Sequence, residues 1–268
     1  MRSHRRPSAW IGPGAQHGAA LGVHRSMTGT TRSTTGRRRR ALHLVGFGVL
    51  CVGIVAFAVA SSAGASKAKV IGKTHRTPPP DCPKDPCSAI GKVTGFMTKA
   101  DGQKNPFKVR KDVKIVAWAA ELSKPTKHQR GFFESVFKSD RYGKKPSARL
   151  AILRHRGKEN YKLIKQSPIV KLTSSLGQKE IFTLAKPLRA HKGQLIAFTY
   201  PTWAPNFATE ISSGRNQWRG SRRKSRCNTS RLSNAKRSRP QQKVGSIRSY
   251  DCNYKAARLL YWAYYVPG

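Results

Sequence analysis

Residues 113–122 read VKIVAWAAEL, and this run decides the fold. It is almost wholly apolar and rich in β-branched and aromatic residues, which suits a central strand. Similar runs flank it. Downstream, ARLAILRHR (148–156) alternates, with Leu150 and Ile152 on one face and Leu153 and His155 competing for it. YKLIKQ (161–166), PIVKL (168–172), EIFTLAKPL (180–188) and GQLIAFTY (193–200) follow, and ARLLYWAYYV (257–266) ends the chain. Upstream, AIGKVTGF (89–96) is short and punctuated by glycine. One stretch breaks the pattern. TKHQRGFFESVF (126–137) places Phe132, Phe133, Val136 and Phe137 on one face of a short helix. Regular Gly and Pro turns between the strands predict an all-β sandwich, jelly-roll-like, with a barrel as the alternative.

The N-terminal part has a different character. Residues 37–60 read RRRRALHLVGFGVLCVGIVAFAVA, followed by SSAGAS. A basic flank, an apolar run and small residues, in that order, form an export signal. Ala63, Gly64 and Ala65 predict cleavage after Ala65, with Ala60 as the alternative site. The competing expectation is a retained membrane anchor over residues 41–60, a length that matches the ~20 residues a spanning helix needs. Gly46, Gly48 and Gly53 dilute that run, and Leu50 before Cys51 argues against a lipoprotein signal. A twin-arginine signal is a weaker alternative. Met27 opens a conventional leader, so translation is expected to start there. The protein is thus expected to be secreted or held in the cell envelope, and to meet a membrane only through this segment.

Beyond the leader, residues 66–80 are basic and proline-rich and read as an extended linker. Residues 81–268 form the expected β-sandwich domain. Of the 53 basic and 11 acidic residues, nine basic and no acidic ones precede residue 66. That leaves 44 basic against 11 acidic, a net charge near +33. Such a charge attracts polyanions. Its densest run is residues 215–248, with twelve cations and no acid, read as a long polar loop that is tethered or partly disordered.

Four cysteines follow the leader: Cys82, Cys87, Cys227 and Cys252. An even number in an exported chain predicts two disulfides. Cys82 and Cys87 enclose the stiff sequence PKDP, which suggests a local bridge and leaves Cys227 to Cys252. Three pairings are formally open. The alternative, a four-thiolate metal site, fits the spacings poorly, so no metal or other cofactor is expected.

The stretches NPFKVRKDVKIVAWAAELSKP, PSARLAILRHR, YKLIKQSPIV, KGQLIAFTYPTWAPNF, NQWRGSR and ARLLYWAYYVP resemble a group of exported actinobacterial proteins. The resemblance covers most of the chain from residue 89. It implies export and a β-rich domain, and it brings no activity or functional residue with it.

Catalytic patterns are weak. His128, His155 and His191 lie apart in basic surroundings, and Glu121 and Glu134 are as well suited to salt bridges as to a carboxylate pair. No metalloprotease, serine-hydrolase or phosphate-loop motif is present. Binding is the better reading. Arg215, Arg219, Arg222, Arg223, Lys224 and Arg226 are the expected polyanion ligands. Trp203, in a proline-flanked loop, and Trp218 are candidate aromatic platforms, or else plugs at the end of the sandwich. The expected function is an exported, non-catalytic domain that binds anionic polymer, meaning wall polymer, acidic polysaccharide or nucleic acid. The alternatives are a hydrolase of such a polysaccharide and a structural or adhesive surface protein.

Overall fold

A computed structural model describes residues 67–229 and 232–268. The expectations about the start at Met27, the export signal, its cleavage, Cys51 and the span 41–60 lie outside these residues. Among the described residues, no helix is long and apolar enough to cross a membrane.

The strands are β1 (Lys69–Ile71), β2 (Ile90–Ala100), β3 (Gln103–Lys104), β4 (Val113–Glu121), β5 (Ser147–His155), β6 (Asn160–Gln166), β7 (Val170–Lys171) and β8 (Lys179–Ala190). They continue with β9 (Leu195–Ala204), β10 (Phe207–Ala208), β11 (Gln217–Gly220), β12 (Ile247–Ser249), β13 (Cys252–Lys255), β14 (Arg258–Leu259) and β15 (Tyr261–Pro267). Two helices accompany them, α1 (Lys127–Phe137) and α2 (Leu232–Arg237).

Every strand pairing is antiparallel. The small sheet runs β1-β15-β4-β8, and the large one runs β12-β6-β5-β9-β2-β11-β13. Their eight central strands, β1-β15-β4-β8 and β6-β5-β9-β2, have the order of a jelly roll. Among these eight, only the β5–β6 hairpin stays within one sheet; every other connection crosses between sheets.

The core lies between the sheets. Trp118 of β4 packs on Phe182 of β8 and meets the edge of Phe198 from the opposite sheet, with ring centroids 4.1 and 5.0 Å apart. Phe198 in turn stacks on Tyr261 of β15. The run VKIVAWAAEL carries a bulge. Ala117 lies opposite Tyr264 and Ile115 opposite Tyr265, so Val116 has no counterpart. The bulge switches the buried phase from Val113 and Ile115 to Trp118, Ala120 and Leu122. Helix α1 matches its sequence signal. Thr126 and Gln129 form a capping box, and Phe133, Val136 and Phe137 are buried.

Two boundaries differ from expectation. Lys69–Ile71, inside the presumed linker, pairs with β15 as an edge strand. Three residues are too few for alternation to reveal. The segment 215–248 is tethered, through a Cys227–Cys252 disulfide, and its described residues are not all loop. It supplies β11, α2 and β12, and it crosses the outer face of the large sheet. Phe96, Ala151, Leu153, Leu163 and Ala197 line that face, and Tyr250 closes over them to make a second small core. This explains why Leu153 competed with Leu150 and Ile152: both faces of β5 are buried.

The segment stays polar because amides anchor it. The Gln241 N–H donates to Thr94 Oγ1 (3.0 Å), and Gln241 Nε2 donates to the Ser246 carbonyl (2.8 Å). The Tyr250 hydroxyl donates to Gln241 Oε1 (2.8 Å), and Arg149 Nη2 donates to Gln242 Oε1 (2.8 Å). Burial pushes the Tyr250 phenol well above its usual range. Satisfied buried amides hold a chain as firmly as apolar contacts, because breaking them strands polar atoms out of water.

Candidate anion-binding clefts

Both expected disulfides are present. Cys82–Cys87 closes the small proline loop, and Cys227–Cys252 ties the basic segment to β13. Gln129 of α1 donates to the Pro83 carbonyl inside the first loop (3.0 Å). The second bridge fixes the turn 221–226 beside β12 and β13. Two disulfides fit an oxidising compartment outside the cytosol. Among the described residues, no cluster of three His, Cys, Asp or Glu suited to a metal is found.

Between that turn and β12 lies a cleft of about 520 Å³. Its lining comprises Arg222, Arg223, Arg226, Arg239 and Arg248, with Ser221, Ser238, Ser249 and Ile247. No carboxylate and no lysine line it. Residues 66–268 hold 26 lysines against 18 arginines, but residues 222–248, which supply all five lining arginines, hold seven arginines against three lysines. The cleft thus gathers the arginine of this one segment.

The arginines have different tasks. Arg222 is 3% exposed and serves the fold. Its Nε donates to Ser238 Oγ (3.0 Å), Nη1 to the Tyr254 hydroxyl (2.9 Å) and Nη2 to the Gly91 carbonyl (3.1 Å). Arg226 reaches the Arg237 carbonyl (3.4 Å), and Arg248 donates to the Arg239 carbonyl. Burial holds the Arg248 guanidinium below its usual pKa range, and the Arg223 charge pushes it the same way. Arg223 and Arg239 are exposed. None of the ion pairs among the described residues involves Arg223, Arg226, Arg239 or Arg248.

A second cleft of about 450 Å³ shares Arg239 with the first. Lys92, Lys138, Arg141 and Lys236 also line it, together with Tyr142 and a single acid, Asp140. Lys92 sits at a β2–β9 register shift and has a left-handed φ of 48°. Such irregularities re-aim a side chain. Here the shift turns a lysine of the central sheet into the cleft wall, where its ammonium donates to the Lys236 carbonyl. Burial lowers the Lys92 pKa, and the Arg239 charge lowers it further.

The other expected site residues lie elsewhere. Arg215 pairs with Asp101 Oδ1 at 2.6 Å, and this bond, with one from the Arg76 N–H, holds the Asp101 carboxyl below its usual range. Arg219 pairs with Glu159 at 2.8 Å and donates to the Tyr250 carbonyl. Lys224 is exposed on the turn but does not line the cleft.

Neither tryptophan is a platform. Trp203 lies within β9, not in a loop, is 0% exposed and packs on Phe133. Its Nε1–H donates to the Lys144 carbonyl (2.9 Å). Trp218 is also fully buried, stacked on Tyr254 at 4.3 Å. Its ring lies against Gly95 and Gly220, paired neighbours on β2 and β11, where an added Cβ would come within 3.0 and 2.9 Å of it. The indole is thus enclosed by the protein.

The lone histidines also stay apart. His155 bonds the Lys158 carbonyl and His191 pairs with Asp112, while His128 lies on α1. Glu134 pairs with Lys144 and Lys145. The clefts offer guanidinium forks, which suit phosphate, sulfate or carboxylate oxygens. Arg239 and Arg248 belong to the acid-free run and so were within reach of sequence reasoning. Lys92, Lys138 and Arg141 carried no local signal. Comparison with known protein families, curated proteins and solved structures finds no match for this chain.

Proposed function

We propose that this is an exported, non-catalytic domain that binds anionic polymer through the arginine cleft. One observation carries the reading: five arginines and no carboxylate line a single cleft. Like charges held together beside a well-packed sheet repel one another until an anion arrives, and this favours anion binding. The hydrolase alternative needs two facing carboxylates, and the two clefts between them hold only Asp140. A purely structural or adhesive role accounts for Arg222, which serves the fold, but gives the exposed Arg223 and Arg239 no task.

The test is a binding panel of poly(glycerol phosphate), an acidic polysaccharide and duplex DNA, each titrated between 50 and 200 mM salt. Four phosphate contacts predict a loss of roughly 10²-fold for duplex DNA over that range. Failure of every polyanion to bind at 50 mM salt would remove the proposal.

A further inference from the structure

We propose that the two clefts form one track, joined at Arg239, for a single, flexible polyol-phosphate chain of the wall-polymer kind. This rests on the polyanion reading and narrows it. Three features carry it.

The first is continuity. Arg239 lines both clefts, so an anion held by it has ligands on either side. To one side lie Arg223, Arg226 and Arg248; to the other lie Lys92, Lys138 and Arg141. A linear chain with a charge in every repeat can fill both clefts without leaving the surface. A small anion can fill only one.

The second is size. Each cleft has the volume of a small-molecule site. Arg222 and Ser238, both buried, belong to the lining of the first. A slender chain can enter such a space. A duplex carries its phosphates on the rim of a stiff rod and can meet only the exposed arginines.

The third is the lack of a stacking surface. Single-stranded nucleic acid is usually gripped by exposed aromatic faces between the charges. No aromatic residue lines the first cleft. Trp203 and Trp218 are buried. Tyr142, in the second cleft, already has the Arg141 guanidinium over its ring at 5.5 Å. A chain without bases loses nothing by this arrangement, whereas a nucleic acid finds nothing to stack on. Guanidinium forks and the Ser249 hydroxyl, approaching from several sides, suit the tetrahedral oxygens of phosphate.

The test uses synthetic poly(glycerol phosphate) of three, six and twelve repeats, with oligothymidylate and duplex DNA at equal phosphate number. The expected result is an affinity gain of at least tenfold from three to twelve repeats, since the second cleft adds an intramolecular contact. Arg239→Gln, at an exposed side chain, should cut that gain to less than threefold. Lys138→Gln with Arg141→Gln should weaken the twelve-repeat chain and spare the three-repeat one. Equal affinity for all lengths overturns the track, as does a twelve-repeat gain that survives Arg239→Gln. Oligothymidylate or duplex DNA binding as tightly as the twelve-repeat chain overturns the choice of polymer. Loss of all polyanion binding is a different outcome, and it removes the proposed function as well.

Discussion

Arg222→Met is expected to cost about 3–5 kcal/mol of stability, while Arg223→Gln, one residue away, should cost less than ~0.5 kcal/mol. The two arginines line the same cleft but do opposite work. Arg222 is buried, and its three guanidinium nitrogens satisfy Ser238, Tyr254 and the Gly91 carbonyl. Methionine fills similar space but leaves three polar groups without that partner, each worth ~1–3 kcal/mol when stranded. Arg223 is exposed and leaves nothing stranded. Urea unfolding of both variants measures the difference. If the two midpoints shift equally, Arg222 is no strut and belongs with the binding residues.

Removing the Cys227–Cys252 bridge with two serines should cost ~2–4 kcal/mol and weaken polyanion binding by about tenfold. The stability loss follows from loop closure across a separation of 25 residues. The binding loss follows from order. Arg222, Arg223 and Arg226 sit on the turn that this bridge fixes, and an untethered turn must be ordered anew each time a ligand binds. The Cys82–Cys87 bridge provides the contrast. It closes only five residues, so its loss should cost roughly 1 kcal/mol less, and it lies away from both cleft linings. Calorimetric unfolding and a polyphosphate titration of both double variants separate the cases. Equal binding losses would show that the second bridge does not shape the cleft.

Much of the scaffold is legible in the sequence. The strands follow from apolar alternation, and α1 from four apolar residues on one helical face. The disulfides follow from an even cysteine count and a stiff local loop. What escapes is whatever depends on distant partners. Trp218, with arginines around it, reads equally as a platform or a plug; Gly95 and Gly220, over a hundred residues apart, leave the room that its buried ring fills. Arg222 reads as one more surface cation, yet it is buried and hydrogen-bonded to Gly91, Tyr254 and Ser238, which lie apart from one another in sequence.

The basic run itself is plain in the sequence; its division of labour is not. Arg215 and Arg219 find two of the few acids, Asp101 and Glu159, while Arg239 and Arg248 remain beside the cleft. Lys92 joins the second cleft through a β-register shift that no local pattern announces. Polar segments resist sequence reading because hydrogen-bonded burial has no hydropathy period. Gln241 is 1% exposed and central to the fold, yet it looks like a loop residue.

The central claim is that clustered arginines, and not diffuse charge, hold the polymer. The most direct measurement is the slope of log affinity against log salt for poly(glycerol phosphate), with three proteins compared. These are the parent, a variant with Arg223, Arg226, Arg239 and Arg248 all changed to Gln, and a control with Lys158, Lys162 and Lys165 changed to Gln. By analogy with single nucleic-acid strands, each lost contact should flatten the slope by ~0.7. The arginine variant should therefore flatten by about 2.8 and bind roughly 10²-fold more weakly at 0.15 M salt, with the control close to the parent. Equal flattening in both variants, or none in either, would contradict the account.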